Sequence, residues 1–229
     1  MKCYYDFHIH TALSPCGDED MTPNNIVNMA IIKGLDAIAI TDHNSAKNVL
    51  ACINCAKDTP LTVIPGMEIE TAEEVHMVAL FDNVDALMKL DKIVSKNMPS
   101  IKNRVDIFGE QVLLDENDER VGTLENLLVT ASFLDVESAV ETVRNLGGVI
   151  IPAHIDKDSY SIVSNLGFVP EELKFSTVEI KNWRISSAEL SEIPSNNFTF
   201  DKKSNSSVSL PSAIFTNPFS FSVFLHLFF

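Results

Sequence analysis

The chain has 229 residues, room for one α/β domain with a sizeable core, with or without an appendage. Its 45% hydrophobic and 21% charged residues are ordinary for a soluble globular protein, and no run reaches the ~18 apolar residues that cross a bilayer. A formal net charge of −15 excludes a basic surface that would grip duplex DNA or anionic membranes, but not phosphate substrates approached through bound cations.

Tyr4-Tyr5-Asp6-Phe7-His8-Ile9-His10 predicts a first strand over 3–9. Residues two apart in a strand share a face, so His8 and His10 project together. The first helix is punctuated by Thr22 as cap, Pro23 in the first turn and Gly34 after the last. A strand over 36–41 and a helix over 45–57 follow. Cys52 and Cys55 in that helix have CxxC spacing, but no second pair accompanies them, and they read as two packing thiols. Strands over 61–65 and 75–81 precede a helix over 83–96. Residues 98–132, with the acidic run Asp115–Arg120, predict a solvated hairpin or loop. A helix over 135–146, opened by Asp135 and closed by Gly147-Gly148, leads to strands over 148–153 and 176–180.

Strands alternating with helices indicate parallel βαβ units, hence an α/β barrel or a doubly wound sheet. The domain is expected over 1–183. Residues 184–229 form an atypical tail, a Ser/Asn-rich linker with a phenylalanine-crowded end, expected to be disordered. Four cysteines without a secretory signal are expected to stay reduced in a cytoplasm.

Five of the six histidines fall at or within predicted strands. His8 and His10 end the first, His43 follows the second, His76 lies in the fourth and His154 ends the fifth, while Glu68 and Glu70 follow the third. In a parallel barrel all strand C-terminal ends meet at one face, where active sites lie. Histidines with carboxylates, and no ligand-spaced cysteines, suit Zn, Mn or Fe in a catalytic site. More donors than one ion needs suggests two or three divalent ions, an arrangement suited to phosphate-ester hydrolysis by a metal-activated water. No Ser-His-Asp elbow, Walker loop or GxGxxG competes.

The runs Asp6-Phe7-His8-Ile9-His10-Thr11, Ile40-Thr41-Asp42-His43-Asn44, Pro65-Gly66-Met67-Glu68-Ile69, the strand around His76, and Ile151-Pro152-Ala153-His154 resemble the PHP (polymerase and histidinol phosphatase) metallophosphoesterases. The chain looks closest to small bacterial stand-alone members. The resemblance implies a distorted seven-stranded (β/α)7 barrel with a trinuclear centre. It implies that His8 and His10 hold a first ion, that Glu68 bridges it to a second, and that His76 and His154 complete the second. His43 would hold the third with an acid of the first loop. Asp18 is the favoured acid, Glu19 and Asp20 are close competitors and Cys16 a weaker one. Glu68, His76 and Asp18 are the expected catalytic residues. Asp6 and Asp42 would orient imidazoles, and Glu70 would point away or form a salt bridge. Arg104, Lys157 and Lys181 are candidate cations for substrate phosphate.

Family members end with an Asp-x-His motif on the last strand, and none follows Trp183 here. His226 has no Asp two residues before it and is not given that role. The barrel is therefore expected to be incomplete at its C-terminal end. The expected activity is hydrolysis of a phosphomonoester, a nucleoside 3′,5′-bisphosphate or an oligonucleotide end, without stable duplex binding. The alternative is a metal-binding remnant of such an enzyme.

Overall fold

A computed structural model describes residues 3–181 and the strand Val223–His226. The chain begins with β1 (Tyr5–Ile9), α1 (Pro23–Ile32), β2 (Ala37–Ile40), α2 (Val49–Ala56) and β3 (Thr62–Glu70), two parallel βαβ crossovers in succession. The Thr22 hydroxyl accepts the Asn25 N–H at 3.4 Å, so α1 starts where the Thr-Pro signal puts it. Gly34, at φ +72°, takes the left-handed conformation that turns the chain out of the helix toward β2.

β3 then departs from the all-parallel expectation. It runs on to Glu70, and residues 71–75 reverse the chain into β4 (His76–Leu80), which pairs antiparallel with Glu70 opposite His76. The physical reason is length: a parallel neighbour needs a crossover of about a dozen residues or more, and this connection has five. The Thr71 N–H donates to the Val75 carbonyl at 2.9 Å to close the turn. His76 therefore enters at the first residue of β4, beside the last residue of β3, and still reaches the rim where β1 and β2 end.

Next come α3 (Val84–Lys96), α4 (Val105–Phe108), the hairpin β5 (Val112–Leu114) with β6 (Arg120–Thr123), α5 (Val136–Asn145) and β7 (Val149–Pro152). β7 pairs antiparallel to β4 and closes a mixed sheet of order β1-β2-β3-β4-β7. After α6 (Ile162–Leu166), β8 (Thr177–Ile180) joins the end of β7 through the Ile155 N–H, which donates to the Glu179 carbonyl at 2.9 Å. β9 (Val223–His226) pairs antiparallel with β8. The result is a mixed α/β fold whose curled sheet forms a half-barrel. The rest of the tail expected over 184–229 lies outside the described residues.

The core lies between sheet and helices. Ile38, Ile40, Met67, Ile69 and Met77 are fully buried from the sheet, against Leu87, Leu90 and Val94 of α3 and Val136, Ala139, Val140 and Val143 of α5. Spacings of three and four put each helical set on one face, and each large side chain so buried contributes about 1.5–3 kcal/mol. Cys52 packs in this core, as a lone thiol should. The insertion is a hairpin docked on the sheet end. Gln111 is fully buried, donating to the Leu124 and Asn126 carbonyls and accepting the Leu128 N–H. Among the described residues no helix is long and apolar enough to cross a membrane.

Candidate metal centre

The rim of the half-barrel gathers His8 and His10 from β1 and its end, His43 after β2, Glu68 from β3, His76 from β4 and His154 after β7. Glu68 is the hub. Its Oε1 lies 3.0 Å from His76 Nδ1, 3.2 Å from His8 Nε2 and 3.3 Å from His154 Nε2. Its Oε2 lies 3.1 Å from His43 Nδ1 and 3.3 Å from His10 Nε2. Five imidazoles thus converge on one carboxylate that is 1% exposed.

The rings of His8, His10 and His76 are held from behind, and His43 and His154 are held through their backbone N–H groups. His8 Nδ1 lies 2.9 Å from both Glu179 carboxylate oxygens, so Nδ1 carries a proton and Nε2 is the nitrogen that faces the hub. Asp6 accepts the His8 backbone N–H at 3.2 Å, and burial pushes its carboxyl up to about 6. The Ser14 hydroxyl donates to Asp42 at 2.7 Å, which leaves its oxygen to accept the His43 N–H at 3.0 Å and the His10 Nδ1–H at 3.2 Å. His10 is therefore fixed in the same tautomer as His8. Asp42 also accepts the Thr11 N–H and hydroxyl, at 2.7 and 2.8 Å. Glu70 forms an ion pair with His76 Nε2 at 3.8 Å. The His154 backbone sits at φ +31°, and its N–H donates to Glu179 at 3.0 Å.

The electrostatics follow from packing like groups around one charge. Burial works to raise Glu68, but the His8, His76 and His43 rings outweigh it and hold the carboxyl well below its usual range. Burial also works against His8, yet Glu179 and Glu68 raise it well above the usual imidazole value. His76 is lifted to about 9, chiefly by Glu68 against the cost of burial. Burial holds His43 and His154 low.

The donor set fits divalent cations. Among the described buried side-chain atoms, Glu68 Oε1, His43 Nδ1 and His154 Nδ1 make no hydrogen bond. For Glu68 Oε1 and His43 Nδ1 the short contacts above lack the direction that a hydrogen bond requires. A buried polar atom so left costs about 1–3 kcal/mol, which a bound ion would offset. Three overlapping groups place their donor atoms within 4.8 Å of one another: His8, His10 and Glu68; His43, Glu68 and His76; and His10, Cys16 and His43. His154 joins through its contact with Glu68.

The first loop differs from expectation. Asp18 is exposed and accepts the Asp20 N–H at 2.9 Å, and Glu19 and Asp20 are exposed too. Cys16 is the loop residue that reaches the histidines. Although the residue as a whole is exposed, desolvation, with Glu68 and Asp42 nearby, pushes its thiol up to about 12. Arg104 pairs with exposed Asp106 at 2.6 Å, and Lys181 is exposed. The charge of Lys157 acts on both Cys16 and His154.

Glu179 is absent from the sequence-based set. Its signal was an acid inside the apolar strand Thr177-Val178-Glu179-Ile180, where a buried carboxylate needs a partner. Ser14 carried no such signal.

A buried carboxylate shared among imidazoles at a strand-end rim is a donor set suited to divalent metal. The model of the PHP domain matches residues 6–152, and the chain belongs to that family. It is 26% identical over 191 residues to a 5′-3′ exoribonuclease of Haemophilus influenzae, covering 66% of this chain and 68% of that protein. A second relative, the 5′-3′ exoribonuclease Rnm of Salmonella typhimurium, is 36% identical over 90 residues, covering 35% of this chain and 28% of the relative. The fold is similar to that of the lesion-specific endonuclease PfuEndoQ of Pyrococcus furiosus, with a TM-score of 0.51 and 18% identity over 78% of this chain and 42% of that one.

Proposed function

We propose that the chain is a metal-dependent phosphoesterase that hydrolyses phosphate esters at the ends of nucleotides or short oligonucleotides. The observation that carries this reading is Glu68 inside its ring of five imidazoles. The family supports the general kind, a hydrolase of ester bonds holding divalent metal. The two exoribonuclease relatives support the nucleic-acid-end reading.

When bound, two or three divalent ions (Zn, Mn or Fe) supply an acidified water and charge stabilisation for the phosphoryl oxygens. His8, His10 and Glu68 would hold one. Glu68, His76 and His154 would hold its neighbour. Glu68 turns Oε1 toward His8, His76 and His154 and Oε2 toward His10 and His43, so one carboxylate reaches all five rings. Glu179, and Ser14 with Asp42, present Nε2 of His8 and of His10 toward the hub. Glu70 takes the outer nitrogen of His76, so that Nδ1 is the inner donor. Tyr160 stacks on His76 with ring centroids 4.9 Å apart and is 44% exposed, a ring at the site's edge suited to a base face.

The experiment compares turnover of a generic phosphomonoester, a nucleoside 3′,5′-bisphosphate and a 5′-phosphorylated short RNA by the Mn-loaded chain. Release of phosphate or mononucleotides is expected, with little activity on duplex DNA. Full metal occupancy without turnover of any substrate would leave the metal-binding remnant as the correct reading.

A further inference from the structure

We propose that Cys16 is a metal ligand, and that its thiolate with His10 and His43 forms a zinc-selective third site in place of an all-oxygen and imidazole one. The proposal rests on the metal-dependent reading above and deepens it.

Three observations carry it. The Cys16 sulfur and ring nitrogens of His10 and His43 lie within 4.8 Å of one another, a spacing a single ion can bridge. His43 is 6% exposed, and its Nδ1, 3.1 Å from Glu68 Oε2, makes no hydrogen bond, so this buried imidazole of the cluster keeps donor capacity that no hydrogen bond uses. The loop is built tightly enough to hold the thiol there. Ser14 N–H donates to the Thr11 carbonyl at 3.1 Å and Gly17 N–H to the Ser14 carbonyl at 2.8 Å. A Cβ on Gly17 would lie 2.2 Å from the Thr11 carbonyl oxygen, so only glycine lets the chain turn this closely after Cys16.

The competing acids are directed elsewhere: Asp18 closes its own turn on Asp20, and Glu19 is exposed. The other thiols are occupied differently. Cys52 is in the core, and Cys55 donates to the Glu116 carbonyl. His10 Nδ1 is taken by Ser14, so its single free nitrogen, Nε2, serves either the first group or this one; an ion on Cys16 takes His10 from the first group, and the thiol is the donor that distinguishes the site. One thiolate with two imidazoles and an open position is a ligand set of catalytic zinc sites, and its softness selects zinc over manganese or magnesium. On binding, a sulfur–metal bond forms and the S–H proton passes to solvent, with no change of oxidation state.

The test uses Co(II) as a spectroscopic substitute for zinc in the full chain, with metal content measured alongside. The wild type should show an intense near-ultraviolet sulfur-to-cobalt charge-transfer band. Cys16→Ser should lose the band and about one equivalent of metal. Cys16→Asp should keep the metal without the band, and Cys55→Ser should keep both. A fully loaded wild type without the band, or a band surviving Cys16→Ser, overturns the assignment. Failure of the underlying reading looks different, because then neither the wild type nor any variant retains metal.

Discussion

Glu179 grips His8 with both carboxylate oxygens, each 2.9 Å from Nδ1, across 171 residues of sequence. The same carboxylate accepts the His154 backbone N–H, so one acid on β8 fixes the ring of one expected ligand and the backbone of another. Glu179→Gln would turn amide hydrogens toward donors it now accepts from. Loss of such a supporting carboxylate costs about 10–100-fold in metal affinity or activity, and titration with Zn or Mn should show a fall of that size. Unchanged affinity would show that Glu179 serves folding alone.

Removing the paired rings of β1 is more severe. His8→Ala with His10→Ala deletes two of the five donors around Glu68. Turnover should drop by ~10³-fold or more, the scale of losing a strong transition-state stabiliser. Activity that survives at equal purity would place the reaction elsewhere on the chain.

Metal should also stabilise the fold. Ions that bind only the folded chain add about 2.7 kcal/mol at a hundredfold excess over Kd. For a domain of this size that corresponds to roughly 5–10 °C in Tm. Scanning fluorimetry in chelator and in added Zn measures it, and coincident curves would count against a preformed site.

The raised pKa of His76 sets a pH dependence in the metal-free chain. It moves from 6.5 to about 9 on folding, so the folded state binds the proton more tightly. Stability from protonated His76 is fully present below pH 6.5 and is lost as pH rises through about 9. Urea midpoints of the wild type and His76→Gln in chelator should converge toward the upper end of that window. Metal affinity should run the opposite way and strengthen with pH, because the inner nitrogen must shed its proton to bind.

Much of the fold was legible because its signals are local. Thr22-Pro23 opens α1 and Asp135 opens α5 where their cap chemistry predicts. Strand-end placement of His8, His43 and His154 pointed to one rim. Three things were less legible. The reversal between β3 and β4 depends on a five-residue turn whose direction no periodicity reveals, although its shortness rules out a crossover. Glu179 acts over a sequence distance at which spacing carries no information. The first loop offered several acids and one thiol within a few residues, and spacing does not say which of them the turn at Gly17 brings beside the histidines.

The β3–β4 reversal has a bearing on how the centre comes into being. Glu68 and His76 sit on one hairpin, separated by a single turn, and can meet early in folding because their loop is short. The clamp on His8 must wait until β8 arrives from the far end of the domain. A growing chain therefore acquires the hub well before it acquires the brace. Metal retention is thus a gauge of folding progress: weak while only the hairpin has formed, and tight once the last part of the domain is in place.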